Sequence, residues 1–350
     1  MYSLLRPLLF RLDPEQAHTL TLRVLHLTGQ FAPLRILAQK YFEAPPKPVT
    51  AFGLTFRNPV GLAAGYDKDA LGARGLASLG FGHLELGTVT PRPQPGNLKP
   101  RVFRLPEDRA VINRMGFPSL GADFLQHQLS TSRPPSSVIL GINLGKNKDT
   151  PNEDAARDYL TLYQRFAPLA DYLTINVSSP NTVGLRRLQA RDALEDLLGQ
   201  VARQRASESA NYQTTHRQLP NYSITQLPIL VKLAPDLTDE ELDDALDAIT
   251  RTGMDGVIAT NTTLRRDNLR SPHAGETGGL SGAPLTRLST DIIAKIHART
   301  QGKLPIIGAG GIMSPDDAKA KLDAGAVLVQ VYTGLIYAGP GLVKAIIKSL

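Results

Sequence analysis

Short apolar runs rich in Val, Ile and Leu alternate with longer helix-like segments from about residue 55 to the end of the chain. This alternation predicts βα units whose strands form a parallel sheet. Eight strands are predicted, at residues 58–65, 83–88, 137–144, 172–178, 228–234, 256–261, 305–309 and 326–331. Eight strands alternating with helices favour an α/β fold of the (β/α)₈ TIM barrel type, and a doubly wound open sheet is the alternative.

Several of the intervening helices carry boundary signals. Thr238 and Glu241 have the spacing of a capping box, and Ser314 followed by Pro315 has the residue types of an N-cap and a first helical position. Residues 204–226, in contrast, are polar and show no period. We therefore expect one helix to start at Thr238 and another at Ser314. We expect residues 204–226 to form a surface loop before the fifth strand.

Residues 1–41 do not follow the strand–helix alternation. Asp13 marks the start of a helix that continues to about Leu27 with its apolar positions on one face, and a shorter apolar stripe precedes it. Five basic residues against two acidic ones make this region cationic. It forms either a helical cap on the barrel or a pair of amphipathic helices in a membrane interface. A Pro-rich linker at 42–54 separates it from the barrel domain at 55–350.

The composition narrows the possible chemistry. The chain has no cysteine, which excludes disulfides, thiolate zinc sites, cysteine-ligated iron–sulfur clusters and a cysteine nucleophile, and we expect no metal site. A formal net charge of +7 suits an anionic ligand or an anionic membrane surface. The basic residues form no run with interleaved aromatic residues and tryptophan is absent, so nucleic acid is not an expected partner.

Polar side chains stand where seven of the eight predicted strands end. Active sites of barrels of this type lie at the carboxyl ends of the strands, because the loops there converge on one mouth. A purely structural barrel has no need for amides and ammonium groups at these places. The polar residues at the strand ends are Lys68, Thr88, Asn143, Asn176, Asn181, Lys232, Thr260, Asn261, Thr262, Tyr332 and Thr333.

The last two strand ends are rich in glycine. The segment GAGG at 308–311 ends strand seven, and Tyr332-Thr333-Gly334 ends strand eight. Glycines allow backbone N–H groups to approach a phosphate closely, and barrels often bind phosphate after these two strands. A tight strand-to-helix turn without a ligand is the alternative interpretation of GAGG.

The segment NVSSPN at 176–181 has two interpretations. Ser-Pro and Asn commonly form turns, so either serine could simply cap a helix. No histidine stands nearby in the sequence and no G-x-S-x-G elbow is present, so a hydrolase nucleophile is not indicated. A serine that does chemistry here would act as a proton acceptor assisted by its surroundings.

Taken together, these segments resemble the dihydroorotate dehydrogenases, specifically the class 2 enzymes, which are membrane-associated and reduce quinones. The resemblance covers nearly the whole chain, and it depends on the order and number of matching motifs. Among them are LDPEQAH (12–18), NPVGLAAGYDKD (58–69), INRMGF (112–117), GINLGKNK (141–148), TINVSSPNTVGLR (174–186), VKLAPD (231–236), ATNTT (259–263), GGLSG (278–282), IIGAGGI (306–312) and VQVYTG (329–334).

The resemblance implies the oxidation of (S)-dihydroorotate to orotate in de novo pyrimidine biosynthesis, with one FMN per chain as redox cofactor. Ser179 matches the catalytic base of class 2, where class 1 has a cysteine. FMN-binding positions are matched by Ala64, Gly65, Thr88, Asn143, Asn176, Lys232, Thr260, Gly282, Gly311, Tyr332 and Thr333. Substrate-binding positions are matched by Lys68, Asn113, Arg114, Met115, Gly116, Phe117, Asn176, Asn181, Asn261 and Thr262.

The resemblance also favours the membrane interpretation of residues 1–41. It implies that these residues enclose a tunnel for ubiquinone or menaquinone, with His18, Arg104 and Tyr332 on the quinone side. The chain would then be a peripheral membrane protein, on the cytoplasmic face of the inner membrane if it is bacterial. Two alternatives stay open: a soluble FMN barrel that reduces fumarate or a nicotinamide, and a membrane-peripheral binding protein without catalysis.

Overall fold

The structure, a computed structural model, describes residues 2–216 and 227–350. Its strands are β1 (Val49–Ala51), β2 (Leu54–Phe56), β3 (Val60–Leu62), β4 (His83–Val89), β5 (Val102–Leu105), β6 (Ala110–Asn113), β7 (Ile139–Leu144), β8 (Tyr172–Asn176), β9 (Ile229–Leu233), β10 (Gly256–Ala259), β11 (Gly279–Gly282), β12 (Ile306–Ala309) and β13 (Leu328–Val331). Its α-helices are α1 (Tyr2–Arg11), α2 (Pro14–Gln30), α3 (Ala32–Phe42), α4 (Ala73–Ala77), α5 (Ala122–Ser132), α6 (Ala155–Phe166), α7 (Arg191–His216), α8 (Asp239–Arg251), α9 (Thr286–Arg299), α10 (Pro315–Asp323), α11 (Thr333–Ala338) and α12 (Gly341–Ser349).

Eight parallel strands close into a barrel in the order β3, β4, β7, β8, β9, β10, β12 and β13, with β13 paired to β3. These are the eight strands that the sequence predicts, so the (β/α)₈ barrel is confirmed and the open sheet is excluded. Every residue of the barrel strands is buried, because helices cover the outer face and side chains fill the interior. This double burial explains why the strands are apolar runs without alternation.

The predicted helix boundaries are also confirmed. The Thr238 hydroxyl accepts a hydrogen bond from the N–H of Glu241 (3.2 Å), and the Glu241 carboxylate accepts one from the N–H of Thr238 (2.8 Å). Ser314 caps α10 in the same way, accepting from the N–H of Asp317 (3.3 Å). Side-chain oxygens thus satisfy N–H groups that a helix start leaves without partners.

The N-terminal extension contains three helices, α1, α2 and α3, so the prediction of two amphipathic helices is wrong. The Asp13 carboxylate caps α2 as predicted, but α2 continues to Gln30. Phe31 is extended (φ −92°, ψ 108°) and interrupts the helix. The next helix, α3, has Pro33 in its first turn, where a proline is tolerated because the N–H group there needs no partner within the helix. The helix α2 packs closely on α4 at Gly75, which has no side chain. A Cβ atom at this position would lie 2.0 Å from the carbonyl oxygen of Leu25, so only glycine allows the contact.

Residues 49–54, which the sequence assigned to the linker, belong to the antiparallel hairpin β1–β2. The strands are joined by Phe52 and Gly53, both at positive φ, which is the geometry of a type I′ turn. Phenylalanine is an unusual residue at such a position, so the turn carries no sequence signal. The hairpin packs against the amino-terminal end of the barrel, and the extended linker is confined to residues 43–48.

A further antiparallel sheet lies at the opposite end of the barrel, with strand order β11-β6-β5. The sequence did not predict it, because its strands have only four residues each.

The predicted surface loop at 204–226 is wrong for residues 204–216, which continue α7. Residues 217–226 lie outside the described residues. Local helix formers such as Ala, Arg, Gln and Glu extend this helix without an apolar period.

The amino-terminal end of the barrel buries a histidine. His83 packs between the rings of Phe56 and Tyr172, and neither of its ring nitrogens has a hydrogen-bond partner. Burial lowers the pKa of His83 from its usual 6.5 to about 3. Between these two values the unfolded chain binds a proton that the native chain does not, so stability decreases as the pH falls through this window.

We therefore expect His83→Leu to lose less unfolding free energy on acidification from about pH 6.5 to 4 than the wild-type protein. At neutral pH the variant should be at least as stable, because it removes two unpaired buried polar atoms. Denaturant titrations across this pH range measure both effects. His127→Leu, at an exposed position, is the control, and an identical pH slope for all three proteins would contradict the prediction.

Candidate functional site

A cavity of about 920 Å³ lies at the carboxyl ends of the barrel strands and reaches the N-terminal helices. Strand-end residues such as Lys232 and Thr260 line one part of it, and apolar residues of α1 and α2 such as Leu8 and Val24 line another. Ligand sites of this size are usually mostly apolar with a few placed polar groups. The cavity therefore joins a polar pocket to an apolar passage.

A hydrogen-bonded set of side chains forms the floor of the polar pocket. The Asn143 Oδ1 atom accepts from Thr88 Oγ1 (2.5 Å) and from Asn176 Nδ2 (2.9 Å). The Asn143 Nδ2 group donates to Glu85 Oε1 (2.7 Å). Thr88 and Asn176 reach the cavity surface, whereas Asn143 is completely buried beneath them.

Lys232 extends from β9 into the same pocket. Its ammonium group makes no hydrogen bond to another described residue, although only 6% of the residue is exposed. Burial lowers the pKa of Lys232, and the nearby charge of Glu85 acts in the opposite direction. Lys232 therefore presents a positive charge that the protein does not neutralise by direct contact.

The two serines of residues 176–181 have different surroundings. Ser178 donates to Asn176 Oδ1 (3.0 Å), accepts from Asn261 Nδ2 (2.9 Å) and has no exposed surface. Ser179 lines the cavity, and its oxygen accepts only the N–H of Asn181 (3.3 Å). Only Ser179 therefore has a hydroxyl proton free to point into the cavity.

Amide side chains surround the space in front of Ser179. Asn181 Nδ2 donates to Asn113 Oδ1 (3.1 Å), and Asn261 Oδ1 accepts from the N–H of Thr262 (2.7 Å). Most of the predicted substrate positions line the cavity, namely Lys68, Asn113, Met115, Gly116, Phe117, Asn176, Asn181, Asn261 and Thr262.

Arg114 is the exception among the predicted substrate positions. Its guanidinium forms an ion pair with Glu276 (2.6 Å) and stacks over the ring of Phe103 (4.6 Å to the ring centre). The side chain of Arg114 therefore points away from the cavity.

The glycine-rich strand ends expose backbone donors to the cavity. Gly310 and Gly311 have φ values of +104° and +73°, and their N–H groups donate to no other described residue. A Cβ atom at Gly311 would lie 2.3 Å from the Cα atom of Thr286, so no side chain fits there. Two free backbone donors at this place are suited to an anion.

Aromatic rings connect the polar pocket to the apolar passage. The centre of the Tyr66 ring lies 5.2 Å from that of His18 and 5.6 Å from that of Tyr332. Tyr332 donates to the carbonyl oxygen of Gly65 (3.3 Å), as does Lys68 (2.8 Å). Burial lowers the pKa of His18 to about 4, so its ring is neutral near pH 7.

Arg104 fastens α1 to the barrel side of the cavity. It donates to the carbonyl oxygens of Leu9 (3.0 Å) and Leu12, and it lies 4.7 Å from the ring centre of Phe10. Arg104, His18 and Tyr332 all line the cavity, so the three predicted quinone-side residues lie around the same passage.

The fold and this arrangement agree with the comparisons to known proteins. The family model of dihydroorotate dehydrogenase matches residues 48–350. The chain belongs to the dihydroorotate dehydrogenase family. Proteins named dihydroorotate dehydrogenase (quinone) from Anaeromyxobacter sp. (strain K) and Acidithiobacillus ferrooxidans are 50% and 51% identical to it, over all of this chain and over 92% and 94% of those proteins. The crystal structure of DHODH in complex with ferulenol from Eimeria tenella is 41% identical, with a TM-score of 0.84, and the match covers 96% of this chain and 90% of that one.

Dihydroorotate dehydrogenases are flavin-dependent oxidoreductases of pyrimidine biosynthesis, and the quinone-dependent members use a quinone as electron acceptor. Among the described residues, no helix is both long and apolar enough to cross a membrane. The same residues contain no cluster of His, Asp or Glu that could hold a metal ion.

Sequence reasoning missed several residues of this site. Tyr66 and Gln330 line the cavity, and Glu85 lies directly beneath it. A signal was available for two of them, because Glu85 and Gln330 are polar residues inside otherwise apolar strands. Tyr66 stands within a matched motif, but nothing in the sequence indicates that it contacts His18.

Arg186 was also missed, and it connects three strand-end segments. Its guanidinium donates to the carbonyl oxygens of Ser178 (3.0 Å) and Thr262 (2.8 Å) and forms an ion pair with Asp236 (2.7 Å). These contacts fasten the segment that carries Ser179 to the ends of β9 and β10.

We expect Arg186→Met to loosen residues 178–185. Losing the charge-assisted hydrogen bonds should increase amide hydrogen exchange there about tenfold or more, with little change in the barrel strands. Exchange followed by mass spectrometry measures this. Arg187→Met, at the exposed neighbouring position, is the control, and equal exchange in both variants would contradict the anchoring role.

Proposed function

We propose that this chain oxidises (S)-dihydroorotate to orotate in de novo pyrimidine biosynthesis, with FMN as redox cofactor and a quinone as electron acceptor. The observation that carries the proposal is that the cavity joins two chemically different parts. One part is polar and contains Ser179, and the other is apolar and lies between α1, α2 and the barrel. A site of this form accommodates a polar electron donor and an apolar electron acceptor on either side of a flavin.

The residues present fit one FMN per chain. The free N–H groups of Gly310 and Gly311 suit its phosphate, and Lys232 suits the electron-rich end of its ring. When bound, FMN would supply the two-electron redox chemistry that links oxidation of dihydroorotate to reduction of the quinone. The residues that would hold it are Ala64, Gly65, Thr88, Asn176, Lys232, Thr260, Gly282, Gly311, Tyr332 and Thr333, with Asn143 supporting Thr88 and Asn176 from below.

Dihydroorotate would occupy the space in front of Ser179. It is small and anionic, with amide edges that both donate and accept, and the side chains of Asn113, Asn181 and Asn261 can do the same. Lys68 supplies a positive charge for its carboxylate. Met115, Gly116, Phe117 and Thr262 complete the wall, and Arg114 would contribute through its backbone only, since its side chain points outward.

Ser179 would act as the proton acceptor. The residue is 5% exposed, and the Asn181 N–H that donates to its oxygen would stabilise the negative charge that develops as the proton leaves. Serine has a high pKa when free, so the proton moves only while the substrate loses its hydride. Ser178 cannot do this, because its hydrogen is donated to Asn176.

Anaerobic mixing with dihydroorotate tests the function and this assignment together. We expect the yellow colour of the wild-type protein to bleach and a quinone to restore it. Ser179→Ala should keep its flavin but bleach about 10²–10⁴ times more slowly, the usual contribution of a general base. Rapid-mixing absorbance measures the rate.

Ser130→Ala, an exposed serine on α5, is the control for this series. An unchanged bleaching rate in Ser179→Ala would contradict the assignment of the base. Restoration by fumarate or a nicotinamide, but not by a quinone, would favour the soluble alternative. A colourless protein that FMN does not reconstitute would favour a binding protein without catalysis.

We further propose that residues 1–41 form a membrane-docking and quinone-binding unit, so that the protein is peripheral to the membrane, on the cytoplasmic face of the inner membrane if bacterial. Many large apolar side chains of α1 to α3 are exposed, including Leu4 (78%), Leu27 (62%) and Leu37 (65%). Basic residues accompany them, which suits anionic lipid. The quinone, ubiquinone or menaquinone, would enter between α1 and α2 and meet His18, Arg104 and Tyr332.

Replacing exposed apolar residues outside the cavity tests this unit. The triple variant Leu27→Gln, Phe31→Gln and Leu37→Gln should bind anionic lipid vesicles at least about tenfold more weakly, because each buried side chain contributes about 1.5–3 kcal/mol. Turnover with a short soluble quinone should stay unchanged. Vesicle sedimentation measures the binding. Leu98→Gln, at an exposed residue of the barrel domain, is the control. Equal binding by all these proteins would count against docking.

A further inference from the structure

Glu85 is a completely buried carboxylate in the barrel interior, directly beneath the polar pocket. Its Oε1 atom accepts from Asn143 Nδ2 (2.7 Å), and its Oε2 atom accepts from Gln330 Nε2 (2.8 Å) and Tyr172 OH (3.1 Å). An ionised carboxylate only accepts hydrogen bonds, and Glu85 is the acceptor in each of these contacts. The surroundings of Glu85 are therefore those of a buried anion.

The buried cation Lys232 lines the same cavity as Gln330, whose Nε2 group donates to Glu85 Oε2 (2.8 Å). Lys232 makes no hydrogen bond to a described residue, and burial alone would favour its neutral amine. Glu85 is the charged residue that acts in favour of the ammonium form. The positive charge that Lys232 presents to the cavity thus depends on a residue that does not reach the cavity itself.

Glu85 also decides how the floor amides are oriented. Since the Asn143 Nδ2 group donates to Glu85, only Asn143 Oδ1 is left for Thr88 and for Asn176 Nδ2. Asn176 then has its own Oδ1 atom free to accept from Ser178 Oγ (3.0 Å). One buried negative charge therefore fixes the direction of successive hydrogen bonds from the barrel interior to the segment of Ser179.

We infer that Glu85 is a positioning residue for the flavin: it is the buried counter-charge of Lys232 and fixes the amides of Asn143 and Asn176, so that the pocket favours the charge that the flavin ring gains on reduction. This inference rests on the proposed function, because it takes the flavin to lie in this pocket. It assigns Glu85 a role without any contact to substrate or cofactor.

The sign of the effect distinguishes this role from a simple local charge. If Glu85 acted only through its own negative charge, its removal would make reduction easier, and the midpoint potential of the bound flavin would rise. If it acts by holding the proton on Lys232, its removal costs the pocket a positive charge, and the midpoint potential falls.

The test is the midpoint potential of the bound flavin in Glu85→Gln, measured in the full-length holoprotein by equilibration with a reference dye. We expect the potential to fall, and we expect the dissociation constant for FMN, measured by flavin fluorescence, to increase about tenfold or more through the lost charge-assisted contact. Glu153→Gln, at an exposed carboxylate, should change neither value. A rise in potential, or no change, would overturn the inference.

A double-mutant cycle tests whether Glu85 acts through Lys232. Lys232→Met should lower the potential as well, and Glu85→Gln should lower it no further in the Lys232→Met background. Additive shifts would overturn the inference. Glu85→Asp keeps the charge and should restore most of the wild-type potential, which a role limited to packing would not predict.

A measurement on the wild-type protein covers the case in which Glu85→Gln does not fold. Infrared difference spectra of flavin reduction should show no carbonyl band of a neutral glutamic acid in either redox state, and such a band would overturn the inference. Failure of the proposed function would look different. In that case the wild-type protein would not bind FMN, or its flavin would not bleach with dihydroorotate.

Discussion

Closure of eight parallel strands into a barrel is the constraint on which the site depends. In a closed parallel barrel all strands run in one direction, so residues far apart in the chain meet at one mouth. Lys68, Asn176, Lys232 and Tyr332 stand at four different strand ends, yet all of them line the same cavity. The hairpin β1–β2 covers the opposite end, where His83 is sealed among aromatic rings without a hydrogen-bond partner.

The N-terminal helices turn this mouth into a two-part cavity. Close contact between Gly75 and the backbone of Leu25 joins α2 to α4, and Arg104 joins α1 to β5. These contacts hold the inner side of the helices, whereas much of the outer surface of α1 to α3 is apolar and exposed. The helices are therefore anchored on one side and leave apolar surface on the other, which is the arrangement that membrane docking with access to a quinone would require.

Electrostatics inside the cavity are organised from below as well as from the walls. Lys68 and Lys232 carry the positive charges of the polar pocket, and both are buried enough for their pKa values to be lowered. Glu85 opposes this for Lys232, and its hydrogen bond to Asn143 orients the floor. The pocket is thus preorganised by residues of the barrel interior, so that little rearrangement is needed when charge develops.

The sequence alone determined the barrel, its eight strands, the helix caps at Asp13, Thr238 and Ser314, and the position of the site at the strand ends, because these features depend on local periodicity and on short-range hydrogen bonds. Roles for Ser179 and for the binding residues came from the resemblance to a family. Only the tertiary structure showed that the hydroxyl proton of Ser179, unlike that of Ser178, is free, turned the Arg114 side chain outward and placed Glu85 beneath Asn143, because most of these contacts join residues distant in the chain. The hairpin turn at Phe52 also had no local signal, and its geometry follows from packing against the barrel. The helix through residues 204–216 had only a weak signal, because its helix-forming residues show no apolar period.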